Sequence, residues 1–134
     1  MATKFILDTH ALIWHLEGNS RLGPAAQRVL DSPASSLILP VIALAEAVHI
    51  VERRRTRIPG VTALIQDLDN DPRIEIYPLT EDILRTSVSL ISIPEIHDRL
   101  IVATGVHLQN LGETVEIVTK DNEIIVASLL TVTW

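Results

Sequence analysis

The sequence predicts an α/β fold with a mostly parallel central sheet. Two observations carry this reading. Short apolar runs rich in β-branched residues alternate with longer stretches of helical apolar spacing along the whole chain. Most junctions between them hold a Pro, Gly, Asp or Asn that punctuates the backbone.

The elements follow in order. Phe5–Leu7 is the first candidate strand, and Asp8 before HALIWHL has the chemistry of a helix N-cap. Pro24 lies where the first turn of a second helix tolerates a missing N–H, and Pro33 stops that helix beyond Val29 and Leu30. Leu37–Leu39 is the second strand. Pro40 opens a long helix, VIALAEAVHIVERRR, apolar to about Ile50 and basic afterwards, so its start is expected to be buried and its end to meet water. Gly60 is a stop signal, and a helix from about Val61 to Leu68 gives way to the polar turn DNDPR. Ile74–Tyr77 is the third strand, and Thr80 followed by Asp82 caps another helix. After Pro94 a helix runs from Ile96 or Asp98 to Leu111, with Gly112 as its left-handed terminus. Val115–Val118 is the fourth strand and Leu130–Thr133 a candidate for the last. No repeat, low-complexity stretch or linker divides the chain, so residues 1–134 are expected to form a single domain.

Composition narrows the chemistry. With 47% apolar and 21% charged residues the chain is globular in character. The absence of cysteine excludes disulfides, thiolate metal sites and thiol nucleophiles. No apolar run is long enough for a membrane helix, and the opening MATKFILDTH is too soon acidic for a signal peptide, so the expected location is cytoplasmic, with no membrane contact. A formal net charge of −6 argues against a surface that grips nucleic acid everywhere. The positive charge is local: of eleven basic residues, four are Arg53, Arg54, Arg55 and Arg57, placed to hold the backbone of a polyanion. Plain solvation and contact with a protein partner are the other readings of that stretch.

Four acids stand in apolar surroundings: Asp8 after FIL, Glu46 within ALAEAV, Asp98 before LIVATGV, and Asp121 closing EIVTKD. If the runs ending at Leu7 and Val118 are parallel strands, Asp8 and Asp121 share the carboxyl rim, where open α/β sheets bind ligands. Glu46 and Asp98 are expected in the first turns of helices that follow strands and therefore start at the same rim. Two unit charges ~4 Å apart repel by about 1 kcal/mol in water and about 4 kcal/mol at an effective dielectric of 20. Four converging carboxylates must therefore either take up protons or share a divalent cation, and hard oxygen donors favour Mg²⁺ or Mn²⁺. Phosphodiester hydrolysis is the chemistry that such a site supports.

The segments FILDTHALIW, LAEAVHI, HDRLIVATGVHL and IVTKDNEI resemble, in order and spacing, the acidic motifs of PIN-domain nucleases, most closely the VapC-type toxins of toxin–antitoxin pairs. The resemblance implies a three-layer α/β/α sandwich and a Mg²⁺- or Mn²⁺-dependent endoribonuclease leaving a 5′-phosphate and a 3′-hydroxyl. It also implies a homodimer silenced by a cognate antitoxin. Residue by residue it puts the four family acids, as catalytic residues and metal ligands, on Asp8, Glu46, Asp98 and Asp121. Thr119 matches a hydroxyl residue that orients a bound water or a phosphate oxygen, and the place of a further acid falls on Asn122 and Glu123.

Each signal has a structural alternative. Asp8 and Asp98 can be helix caps, Asp98 can pair with Arg99, and Asp121 can be a turn residue. Glu46 resists this, because an unpaired carboxylate among apolar neighbours is costly. Glu46 with His49 has the i, i+3 spacing of di-iron carboxylate helices, but that site needs a second copy on a helical bundle. Of the five histidines, His10, His15, His49, His97 and His107, two, His10 and His97, adjoin the acids within reach of a substrate, but a partly exposed structural histidine is the commoner case. The only aromatics are Phe5, Trp14, Tyr77 and Trp134, a poor supply for stacking bases, and Trp14 reads as core or dimer contact. Two other functions fit the same residues: a PIN-like module that binds RNA or protein without cutting, and a phosphatase acting on small phosphate esters.

Overall fold

A computed structural model describes residues 2–134 and carries the predicted α/β architecture. Five strands, β1 (Thr3–Leu7), β2 (Ser36–Pro40), β3 (Ile74–Tyr77), β4 (Thr114–Val118) and β5 (Thr131–Thr133), form one sheet in the order β3-β2-β1-β4-β5. Every neighbouring pair is parallel, with Ile6 opposite Ile38 on one side and Ile117 on the other. Successive strand residues point to opposite faces, yet Ile6 with Leu7, Leu37 through Leu39, and Ile117 with Val118 are all fully buried. Both faces of the central strands are therefore covered, which makes three layers and explains why these runs are continuously apolar.

Seven helices supply the cover: α1 (Thr9–Glu17), α2 (Pro24–Asp31), α3 (Val41–Glu52), α4 (Val61–Asp69), α5 (Glu81–Val88), α6 (Ile96–Asn110) and α7 (Asn122–Ala127). Helix α6 lies close against the sheet because Gly105 presents no side chain. A Cβ there would meet Leu130 Cδ1 at 2.5 Å and Ile6 Cγ1 at 3.2 Å. No helix among the described residues is long and apolar enough to cross a membrane.

Three features differ from the sequence reading. Helix α3 ends at Glu52, before the arginines, because Arg54 adopts a left-handed φ of 56°. The amides of Arg54 and Arg55 then turn back to the carbonyls of Val51 and Ile50. The basic stretch is thus a loop rather than a helical stripe. It is tied to α1 by Glu17, whose carboxylate accepts from the Thr56 hydroxyl at 2.6 Å and the Arg57 amide at 2.9 Å. Helix α6 does not follow a strand; it follows α5. It still begins at the carboxyl rim, since it leads into β4 and must run antiparallel to that strand. Helix α7 has no counterpart in the sequence reading, because the short apolar run around IIVA fits strand or helix equally.

Arg73 fastens the far edge of the sheet. Its Nη1 donates to the carbonyls of Leu30 and Ser32 at 2.7 and 2.6 Å, while Asp71 accepts from Nε and Nη2. The end of α2 is thereby held to the start of β3.

Candidate functional site

The chain leaves β1 towards β2 on one side and leaves β4 towards β5 on the other, so a crevice opens between the carboxyl ends of β1 and β4. A cleft of about 340 Å³ lies there, and Asp8, Glu46, Asp98 and Asp121 all line it. Trp14, Ile50 and Ile101 form its apolar wall.

Each acid is held by its own local structure. Asp8 follows β1 directly and is 8% exposed. Its Oδ1 accepts from the Ala11 amide at 2.8 Å, so it is the N-cap of α1, and its Oδ2 accepts from the Thr119 hydroxyl. The cap and the site are therefore the same residue, one oxygen for each. Thr119 is fully buried, and its hydroxyl oxygen also accepts from the Asp121 amide at 3.0 Å. It links the end of β4 to both Asp8 and Asp121 and does not line the cleft. Asp121 is the N-cap of α7, accepting through Oδ1 from the amides of Glu123 at 2.9 Å and Ile124 at 3.3 Å.

Glu46 is the sixth residue of α3, so it stands in the second turn rather than in the first. Its Oε1 accepts from the Thr9 hydroxyl at 2.8 Å, which pins it beside the start of α1. Asp98 is in the first turn of α6, as expected, but the N-cap is Glu95, which accepts from the Asp98 amide at 2.9 Å. Arg99 does not pair with Asp98; its Nε donates to the Ile93 carbonyl instead. Among the described residues the Asp98 carboxylate has no cationic partner.

The electrostatics follow from this packing. Burial pushes the Asp98 pKa up to about 7, and the charges of Asp121, Glu95, Glu46 and Asp8 push the same way. Burial also raises Asp8, against the pull of the Thr119 hydroxyl, the Ala11 amide and His10, while Asp121 adds to the rise. Ligand atoms of Asp98, Asp121 and Glu123 all lie within 4.8 Å of one another. Glu123, which the sequence left open, therefore stands with the cluster. The signal for it was weak, an exposed acid two residues beyond Asp121 in a polar turn. Thr9, whose hydroxyl holds Glu46, gave no sequence signal beyond following Asp8.

The donor set consists of carboxylate oxygens without sulfur, and among the described residues no lysine or arginine forms an ion pair with Asp8, Glu46, Asp98 or Asp121. These residues fit a hard divalent ion. The histidines do not form a rival site. His97 Nδ1 sits 2.8 Å from Glu95 and 3.9 Å from Glu46. His49 shares an adjoining hollow with Glu46 and His97, but among the described residues no histidine joins the group of ligand atoms close enough to hold an ion, and α3 belongs to a sheet-containing fold, which removes the di-iron bundle reading. His10 is exposed and tilted against Trp14. Of the arginines, Arg55 and Arg57 line a groove that continues from the cleft past His10, Trp14 and Ile50; Arg53 and Arg54 are exposed at the end of α3.

The family profile described as PIN domain matches residues 5–128. The chain belongs to the PIN domain family. Two solved structures share this PIN fold at low sequence identity. One is VapBC2 from Rickettsia felis bound to a DNA fragment from its promoter, with a TM-score of 0.70 and 15% identity over 97% of this chain and 96% of that one. The other is FitAcB from Neisseria gonorrhoeae, with a TM-score of 0.66 and 18% identity over 96% of this chain and 95% of that one. No curated protein sequence matches the chain.

Proposed function

We propose that this PIN domain is a Mg²⁺- or Mn²⁺-dependent endoribonuclease of the VapC type, the toxin of a toxin–antitoxin pair. The observation that carries the reading is the convergence of Asp8, Glu46, Asp98 and Asp121 on one cleft at the point where the sheet connections diverge. These four residues would hold one or two divalent ions, with Glu123 beside Asp98 and Asp121 as a further donor. When bound, the ion supplies Lewis acidity towards a phosphodiester and charge to balance the carboxylates.

The chain's own residues do the positioning. Thr119 holds the Asp8 carboxylate and the Asp121 backbone in fixed relation, and the Asp121 carboxylate is set by the α7 amides that it caps. Thr9 does the same for Glu46. Trp14, Ile50 and Ile101 exclude water from one wall, which strengthens every charge interaction inside. Arg53, Arg54, Arg55 and Arg57 are the proposed contacts for the RNA backbone, and the loop that carries them is braced by Glu17.

A cognate antitoxin is the proposed regulatory partner, supported by the VapBC and FitAcB complexes that share the fold. A homodimer is proposed as well. Leu79, Leu84, Val88, Ile91 and Ile96 expose apolar side chains on α5, its flanking loops and the start of α6, which supports a partner surface there.

The test is cleavage of a structured RNA by the purified protein in Mg²⁺, with Asp8→Asn and Asp98→Asn alongside. The wild type cuts and both variants lose at least a hundredfold in rate. Equal cutting by all three proteins removes the proposal, and cleavage of a small phosphomonoester in preference to RNA would make the protein a phosphatase.

A further inference from the structure

Lys120 stands among acids and pairs with none of them. It lines the same cleft as Asp8, Glu46, Asp98 and Asp121, yet its Nζ makes no ion pair among the described residues. It rests instead over the indole of Trp14, 4.9 Å from the ring centroid. Arg21 approaches the same ring, its guanidinium carbon 5.9 Å from the centroid. Trp14 itself is 9% exposed and is propped from another side by Trp134 in an edge contact at 5.9 Å. The indole is thus a fixed support that carries two cations at the mouth of an acidic cleft.

The groove beyond Trp14 continues the pattern. It shares His10, Trp14 and Ile50 with the acidic cleft and is lined further on by Arg21, Arg55 and Arg57. An ammonium that merely balanced the carboxylates would sit on them. This one is held off them, on the Trp14 ring that lines both the acidic cleft and the arginine groove.

We propose that Lys120 is a substrate-positioning residue. Supported by Trp14, it grips a phosphate of the RNA backbone where the strand passes from the acidic cleft into the groove of Arg21, Arg55 and Arg57. The proposal rests on the endoribonuclease reading above and adds a residue that neither the acidic motifs nor the arginine cluster assigns.

The experiment measures binding of a fluorescein-labelled uridine dodecamer by anisotropy in Ca²⁺, across a range of salt concentrations, for the wild type, Lys120→Met, Lys120→Arg and Arg28→Met. Arg28 is exposed on α2, outside both hollows, and controls for loss of one charge. Lys120→Met is expected to weaken binding about tenfold, the lower range of one charge-assisted contact. Its salt slope should fall by about 0.7, the value of one phosphate on a single strand. Lys120→Arg keeps both, Arg28→Met changes neither, and calorimetric Mn²⁺ affinity stays the same in all four proteins. In cleavage assays Lys120→Met raises KM with kcat nearly unchanged. RNA affinity and salt slope unaltered in Lys120→Met overturn the proposal and leave Lys120 as a cap on Trp14. A wild type that does not bind the dodecamer at all would overturn the RNA reading itself, and this proposal with it.

Discussion

Replacing Asp98 by Asn should make the metal-free protein more stable while destroying its site. The carboxylate is shifted from 3.8 to about 7 by burial and by Asp121, Glu95, Glu46 and Asp8. The folded state therefore holds a proton that the unfolded state has lost between those values, and stability falls as pH climbs from about 4 to about 7. At ~1.4 kcal/mol per unit the shift corresponds to an upper bound of about 4 kcal/mol at pH 8, which solvent at this half-open site reduces to about 1–2 kcal/mol. An amide has the same shape and no charge to repel. Asp98→Asn should then melt roughly 3–10 °C above the wild type in EDTA at pH 8, and the two should converge near pH 4. Mn²⁺ at a hundredfold its Kd adds about 2.7 kcal/mol to the wild type alone and reverses the order. Thermal unfolding followed by circular dichroism at both pH values, with and without Mn²⁺, reads all of this. An Asp98→Asn protein less stable than the wild type in EDTA at pH 8 would refute the claim that these carboxylates strain one another.

Thr119→Val removes the donor to Asp8 and the acceptor for the Asp121 amide. Mn²⁺ affinity measured by calorimetry should drop about 10- to 100-fold, as for other supports of metal ligands, with the circular dichroism spectrum retained. Arg73→Met should cost about 2–4 kcal/mol in urea unfolding, because two carbonyls and a carboxylate lose their shared partner at once. That loss should be equal with and without Mn²⁺, since Arg73 immediately precedes β3 at one edge of the sheet, whereas the cleft lies at the carboxyl ends of β1 and β4.

Much of the fold was legible because the strands are buried on both faces. A run such as Leu37–Leu39, fully buried throughout, leaves no polar alternation to misread. The acids were legible for the same reason: Glu46 interrupts an apolar helix, and Asp8 and Asp121 close strands whose direction a parallel sheet fixes. The miss at the end of α3 was a matter of one backbone angle. VIALAEAVHIVERRR has no Gly to announce a terminus, and Arg54 takes the left-handed conformation that Gly usually supplies. Glu123 and Lys120 were hidden because they lie in polar sequence, where an exposed charge is the ordinary case. Only the turn made by α7 brings Glu123 back to Asp98, and only Trp14 gives Lys120 a fixed place. Long-range juxtaposition, not residue type, carries that information.

The account's central claim is that these carboxylates share a divalent ion. Diffraction from crystals soaked in Mn²⁺, with data collected for the manganese anomalous signal, tests it most directly. The predicted result is one or two anomalous peaks between Asp8, Asp98 and Asp121, within coordination distance of their oxygens and with Glu46 or Glu123 adjoining. Peaks elsewhere on the surface, or a cleft without one at Mn²⁺ concentrations that support RNA cleavage, would contradict it.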